Sequence, residues 1–134
     1  YAGQLIQQGI GQLVISLGTE NGHIAYSSFA AGIKVLEQKV EILDKFMSGY
    51  SKALEWLSST EPEEISGSVT PFFDKIPQSQ IVDAISRYKT QGTWSPTADL
   101  NEPEYQGLQD ILSDAGMVIE RQSYERVVTT RFFR

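Results

Sequence analysis

The amino-acid sequence predicts a helix-rich α/β fold with one or two short strands, on three observations. Two short apolar runs near the start are bounded by glycines, and a long stretch from Leu36 repeats apolar residues at helical spacing. Three later segments each carry their own helix start and stop signals. No repeat, low-complexity run or linker divides the 134 residues, so the chain reads as one folding unit of at most five helices.

The first apolar run, "GQLVISLG" (11–18), sets Leu13, Val14, Ile15 and Leu17 between glycines, the mark of a short buried strand. "HIAYSSFAAG" (23–32) is a second candidate strand. The "GTENG" between them offers glycine and asparagine, which tolerate the positive φ that a turn requires. The opening "YAGQLIQQGIGQLV" reads as the end of one element running into the next, so a preceding segment is expected.

From Leu36 the period changes. Leu36, Val40, Leu43, Met47, Tyr50, Leu54 and Leu57 step by fours and threes onto one helix face, widened by Ile42, Phe46, Ala53 and Trp56. Glu37, Glu41, Lys45, Ser48, Lys52 and Glu55 occupy the other side, with Glu41 and Lys45 at a favourable pairing distance along the helix. Large side chains such as Met47 and Trp56 on such a face are core rather than ligand contacts. Next, Thr60 and Glu63 have the spacing of a capping box ahead of Ile65 and Val69, with Pro62 in the first turn. Pro77 opens a helix whose Ile81, Ala84, Ile85 and Tyr88 share a face until Gly92 stops it. Asn101 and Glu104 repeat the capping spacing before Tyr105, Leu108, Ile111, Leu112 and Ala115, and Gly116 supplies the stop. Trp94, one of two tryptophans, stands on the loop just beyond Gly92.

Composition narrows the function classes. Eleven Lys and Arg against seventeen Asp and Glu give a net charge of −6, which opposes phosphate backbones and argues against nucleic acid as a partner. Arg121, Arg126, Arg131 and Arg134 gather in the tail, but Glu120 and Glu125 dilute them, and solvated surface charge is the reading adopted. The absence of cysteine excludes disulfides, thiolate metal sites and cysteine nucleophiles. No apolar run approaches the ~20 residues that cross a bilayer. His23 is the only histidine, so zinc sites built on two histidines are excluded. Neither a nucleophile elbow nor a phosphate loop occurs, and "GIG" at 9–11 lacks the third glycine of a dinucleotide fingerprint. No catalytic residue, metal site or cofactor is expected.

The succession "HIAYSSFAA", "VEILDKFMSGYSKALEWL", "PEEI", "AISRYKTQGTWSP", "EYQGLQDILSDAGMV" and "SYERVVTTRFF" resembles the C-terminal part of the solute-binding proteins of ABC importers for nitrate, alkanesulfonates, taurine and thiamine-precursor pyrimidines. The most specific pieces are "RYKTQGTW", "LQDILSDAGM" and "YERVVTTRFF", and the likeness runs from about Gly11 onward. It implies a two-lobe, type II periplasmic-binding-protein-like α/β fold, of which residues 1–32 are strands and hinge region from the second lobe and 33–134 the helical C-terminal part. It also implies capture of a small polar or anionic solute and delivery to an ABC transporter permease. In this family the segment matching Gly92–Pro96 runs across the outside of a lobe, which implies that Trp94 anchors the loop against the preceding helix, near Tyr88 or Tyr124, rather than stacking on a ligand. The implied location is periplasmic or extracellular, membrane-associated only through the transporter or a lipid anchor outside this chain.

Onto this family's ligand-contacting loops only residues 21–28 map, and Asn21, His23, Tyr26, Ser27 and Ser28 become the candidate ligand-binding residues. Neutral hydroxyls and amide N–H groups suffice to hold a sulfonate or nitrate. The competing reading is that alternate residues of this strand face core and solvent. With one wall of the cleft missing, the chain alone is expected to bind nitrate, sulfonates or pyrimidines only weakly. Two other functions stay open: an enzyme of thiamine-pyrimidine biosynthesis on the same fold, whose cysteine-rich motif is not in this sequence, and a helical interaction module using the Leu36–Leu57 face.

Overall fold

In the computed structural model, which describes residues 2–133, all regular secondary structure is helical. Eight α-helices and one 3-10 turn occur among the described residues: α1 (Ala2–Gln7), α2 (Leu17–Glu20), α3 (Ile33–Gln38), α4 (Val40–Ser59), α5 (Pro62–Val69), the 3-10 turn Thr70–Phe72, α6 (Gln78–Gln91), α7 (Glu102–Asp114) and α8 (Tyr124–Val127). This exceeds the expected maximum of five; four of the eight, α1, α2, α3 and α8, are short, of four to six residues each.

The α/β expectation, with its two-lobe architecture and its two strands, is corrected: no β-strand occurs among the described residues. A strand completes its backbone hydrogen bonds only beside another strand. Here Leu17–Glu20 turns helical instead, and Leu13, Val14 and Ile15 are left 55%, 83% and 56% exposed. In the second candidate strand Tyr26 N–H donates to Ile24 O within a tight turn, and Ala25 N–H donates to Glu104 O on α7. That backbone is engaged with a helix, which leaves no ladder to form.

The chain forms two compact units, one from residues up to Gly22 with Leu57–Trp94, the other from His23–Trp56 with Ser95 onward. In the first unit α5 and α6 bury Ile65, Ile81 and Ile85 as a common core, with Leu57, Val69 and Trp94 packed against it. Ser66, fully buried on α5, donates to Glu63 O at 2.7 Å and accepts from Gln78 Nε2 at 3.2 Å, so its hydroxyl is satisfied inside the apolar contact. Lys89 reaches from α6 to the carbonyls of Leu57, Ser58 and Thr60, placing a cation where the end of α4 leaves acceptors without intrahelical donors. Gly92 ends α6 with φ of 64°, a left-handed conformation that favours glycine.

In the second unit Tyr105 of α7 is buried, donates through its hydroxyl to Gln122 O at 2.9 Å and meets Tyr124 edge-on at 5.9 Å. Tyr124 in turn donates to Leu100 O. The Asn101 side chain accepts from Glu104 N–H at 3.0 Å, the cap its spacing predicts. The expected capping box at Thr60 does not form: Glu61 is the N-cap of α5 and makes no side-chain cap bond. Proline disfavours helical backbone in the residue before it, so Pro62 becomes the first helical residue and Thr60 falls one position too early. Thr60 is instead buried, with its carbonyl accepting from Lys89.

The helix expected from Leu36 to Leu57 is split at Lys39, whose φ of −122° and ψ of 32° separate α3 from α4. Its apolar face is nonetheless shielded, since Leu36, Val40, Leu43, Met47, Tyr50 and Leu57 are half-buried and Leu54 buried. Of the residues expected to widen it, Ile42, Phe46 and Trp56 are 62%, 48% and 37% exposed, and Ala53 is exposed as well. On the opposite side the Glu41–Lys45 pair forms at 2.7 Å.

Candidate functional site

The five candidate ligand residues, Asn21, His23, Tyr26, Ser27 and Ser28, lie on the segment between α2 and α3. Asn21 caps the end of α2 in the first unit, its N–H donating to Leu17 O at 2.9 Å. His23, Tyr26, Ser27 and Ser28 lie in the second unit, on the loop between α2 and α3. All five are exposed, Tyr26 to 85%, and among the described residues none makes a side-chain hydrogen bond. Hydroxyls and an imidazole in water trade one hydrogen-bond partner for another when they meet a solute, so this loop alone supplies little net binding.

Three contacts hold the loop that carries them. The Ala25 N–H bond to Glu104 O spans 3.1 Å. Ile24 lies against Gly107 so closely that a Cβ there would meet its Cγ2 at 3.3 Å. Phe29 stands edge-on to both Phe46 and Tyr50 of α4 at 4.9 Å. Sequence reasoning missed Gly107 and Phe29. A glycine inside an otherwise regular helix was the available signal, because glycine disfavours helix unless a neighbour needs the space. The second unit also buries two oxygens without hydrogen-bond partners among the described residues, Ser51 Oγ on α4 and Gln109 Oε1 on α7. Burial of such a group without a partner costs about 1–3 kcal/mol.

Trp94 is placed as an anchor. It is half-buried, packs against the Ile65, Ile81 and Ile85 core, and meets Tyr88 edge-on at 5.6 Å and 86°. In the tail, Arg121 pairs with Asp110 and Arg131 lies 5.6 Å from the Phe132 ring centre, while Arg134 lies outside the described residues. No group of three or more His, Cys, Asp or Glu poised to hold a metal occurs among the described residues. No described helix is long and apolar enough to cross a membrane.

Against curated proteins, the chain is 31% identical over 122 residues to the Bacillus subtilis (strain 168) protein named "Putative binding protein YtlA". The alignment takes in 91% of this chain and 36% of that relative, so the chain spans little more than a third of its length. No family model matches the chain. No solved structure matches it.

Proposed function

We propose that these residues belong to the substrate-binding component of an ABC importer that captures a small polar or anionic solute: nitrate, a sulfonate, taurine or a pyrimidine precursor. The observation that carries this reading is the 31% identity along 91% of the chain to a protein named for binding. The segments "RYKTQGTW", "LQDILSDAGM" and "YERVVTTRFF", which resemble solute-binding proteins of that class, supply the importer context. On this reading the partner is the transporter permease and the location periplasmic or extracellular. Binding without turnover accords with a chain holding one histidine and no cysteine, nucleophile elbow or phosphate loop.

Calorimetric titration of the complete protein with nitrate, ethanesulfonate, taurine and an aminopyrimidine tests the proposal. Saturable binding to one of the four, Kd on the order of 1 μM, is expected, with the solute recovered unchanged. Absence of binding to all four, or conversion of any of them, would overturn it. The 134 residues alone are expected to bind the same solute far more weakly, since half of a site loses contacts while the solute still sheds water.

A further inference from the structure

In the first unit an open groove of about 250 Å³ runs between Gly3, Ile6 and Gln7 of α1 and Gln80, Asp83 and Arg87 of α6. Gln80, Asp83 and Arg87 recur at helical spacing on one face of α6, apart from the core positions Ile81 and Ile85. Gln80 Nε2 donates to Gln7 Oε1 at 2.9 Å, tying the two helices together beside the groove. Gly3 lines the groove, and the space beside it is open, since an added Cβ would meet nothing within 4 Å.

The charges in this groove are unused. Asp83 and Arg87 stand four residues apart, a spacing at which such residues ordinarily pair. Among the described residues, however, neither takes part in an ion pair or side-chain hydrogen bond. The groove therefore presents one carboxylate and one guanidinium above a mostly apolar lining. An anion alone would meet Arg87 but be repelled by Asp83, and a cation alone would meet the reverse. A molecule carrying both charges on a short carbon frame satisfies both groups at once.

We propose that this groove binds a small aliphatic α-amino acid, with its carboxylate on Arg87, its ammonium on Asp83 and its side chain against Ile6 in the space beside Gly3. Arg suits the first role because its guanidinium can grip a carboxylate through two parallel N–H bonds. The groove is smaller than the ~300–1,000 Å³ of drug-sized pockets, which limits the ligand to a few carbons beyond its charged groups. It is also open to solvent, which weakens each ion pair and sets the affinity on the order of 1 mM. The proposal concerns a different place from the exposed 21–28 loop and does not rest on the importer reading.

The test is NMR titration of the nitrogen-15-labelled 134-residue chain with L-valine, following the side-chain amides of Gln7 and Gln80 and Nε–H of Arg87. Isobutyrate and isobutylamine, each carrying one of the two charges, form parallel arms. Saturable shifts of these three groups with valine are expected, with each half-molecule about two- to fivefold weaker, the loss of one solvent-exposed ion pair. Arg87→Gln and Asp83→Asn should each weaken valine by about two- to fivefold, and Gly3→Leu should abolish the shifts by filling the groove. Far-UV circular dichroism of each variant checks the fold. The charge variants alter exposed or half-exposed side chains, so they remain informative if Gly3→Leu does not fold. Absence of saturable shifts up to about 50 mM valine, isobutyrate binding as tightly as valine, or folded variants binding valine normally would overturn the proposal.

Discussion

Replacing Trp94 with alanine tests the packing of the first unit most sharply. Truncating a fully buried aromatic costs about 3–5 kcal/mol. Trp94 is half-buried, so its apolar contacts with the Ile65, Ile81 and Ile85 core account for about half of that, near 2 kcal/mol. The edge-on pairing with Tyr88 at 5.6 Å adds about 0.5–1 kcal/mol beyond the area buried. The expected loss is about 2–3 kcal/mol. Urea denaturation read by far-UV circular dichroism should show it as a midpoint lowered by about 1 M, given a slope of ~2 kcal/mol per molar. A double-mutant cycle with Tyr88→Leu should return the ring-pair part as a coupling energy. A loss below ~0.5 kcal/mol, typical of an ordinary surface change, would refute the anchor and return Trp94 to the ligand candidates.

Asn101→Ala should cost about 1 kcal/mol by leaving the Glu104 N–H without its cap, measured as a lowered denaturation midpoint with an unchanged slope. Lys89→Met keeps the length and apolar stem of the side chain but removes the cation from three carbonyls. It should cost about 1–2 kcal/mol by the same assay. Lys45→Gln breaks only an exposed pair with Glu41 and should move stability by less than about 0.5 kcal/mol, a difference that shrinks further at high salt.

What the sequence made legible is what depends on neighbours three or four residues away. The face from Leu36 to Leu57 was readable because helical spacing is a local property: its seven central residues are at least half-buried, while Ile42, Phe46, Ala53 and Trp56, expected to widen it, are exposed. The Asn101 cap and the Gly92 stop were readable for the same reason: each rests on a bond or a φ angle within one turn. The break at Lys39 was not, since no glycine or proline marks it. The run from Leu13 to Ile15 has strand composition, but a strand exists only with a partner, and composition cannot supply one. Bonds such as Lys89 to Thr60 and Gln80 to Gln7 join residues 29 and 73 positions apart, beyond any spacing rule. The same limit holds for the candidate site. Its polar residues could be picked out one by one, whereas their exposure arises from tertiary structure.

Native mass spectrometry of the complete protein, purified under conditions that retain bound solute, tests the central claim most directly. The account predicts a second mass peak displaced by one small polar or anionic molecule, lost on gentle activation and restored by adding back that compound alone. A single peak at the mass of the bare polypeptide, unchanged after incubation with nitrate, ethanesulfonate, taurine and an aminopyrimidine, would contradict it.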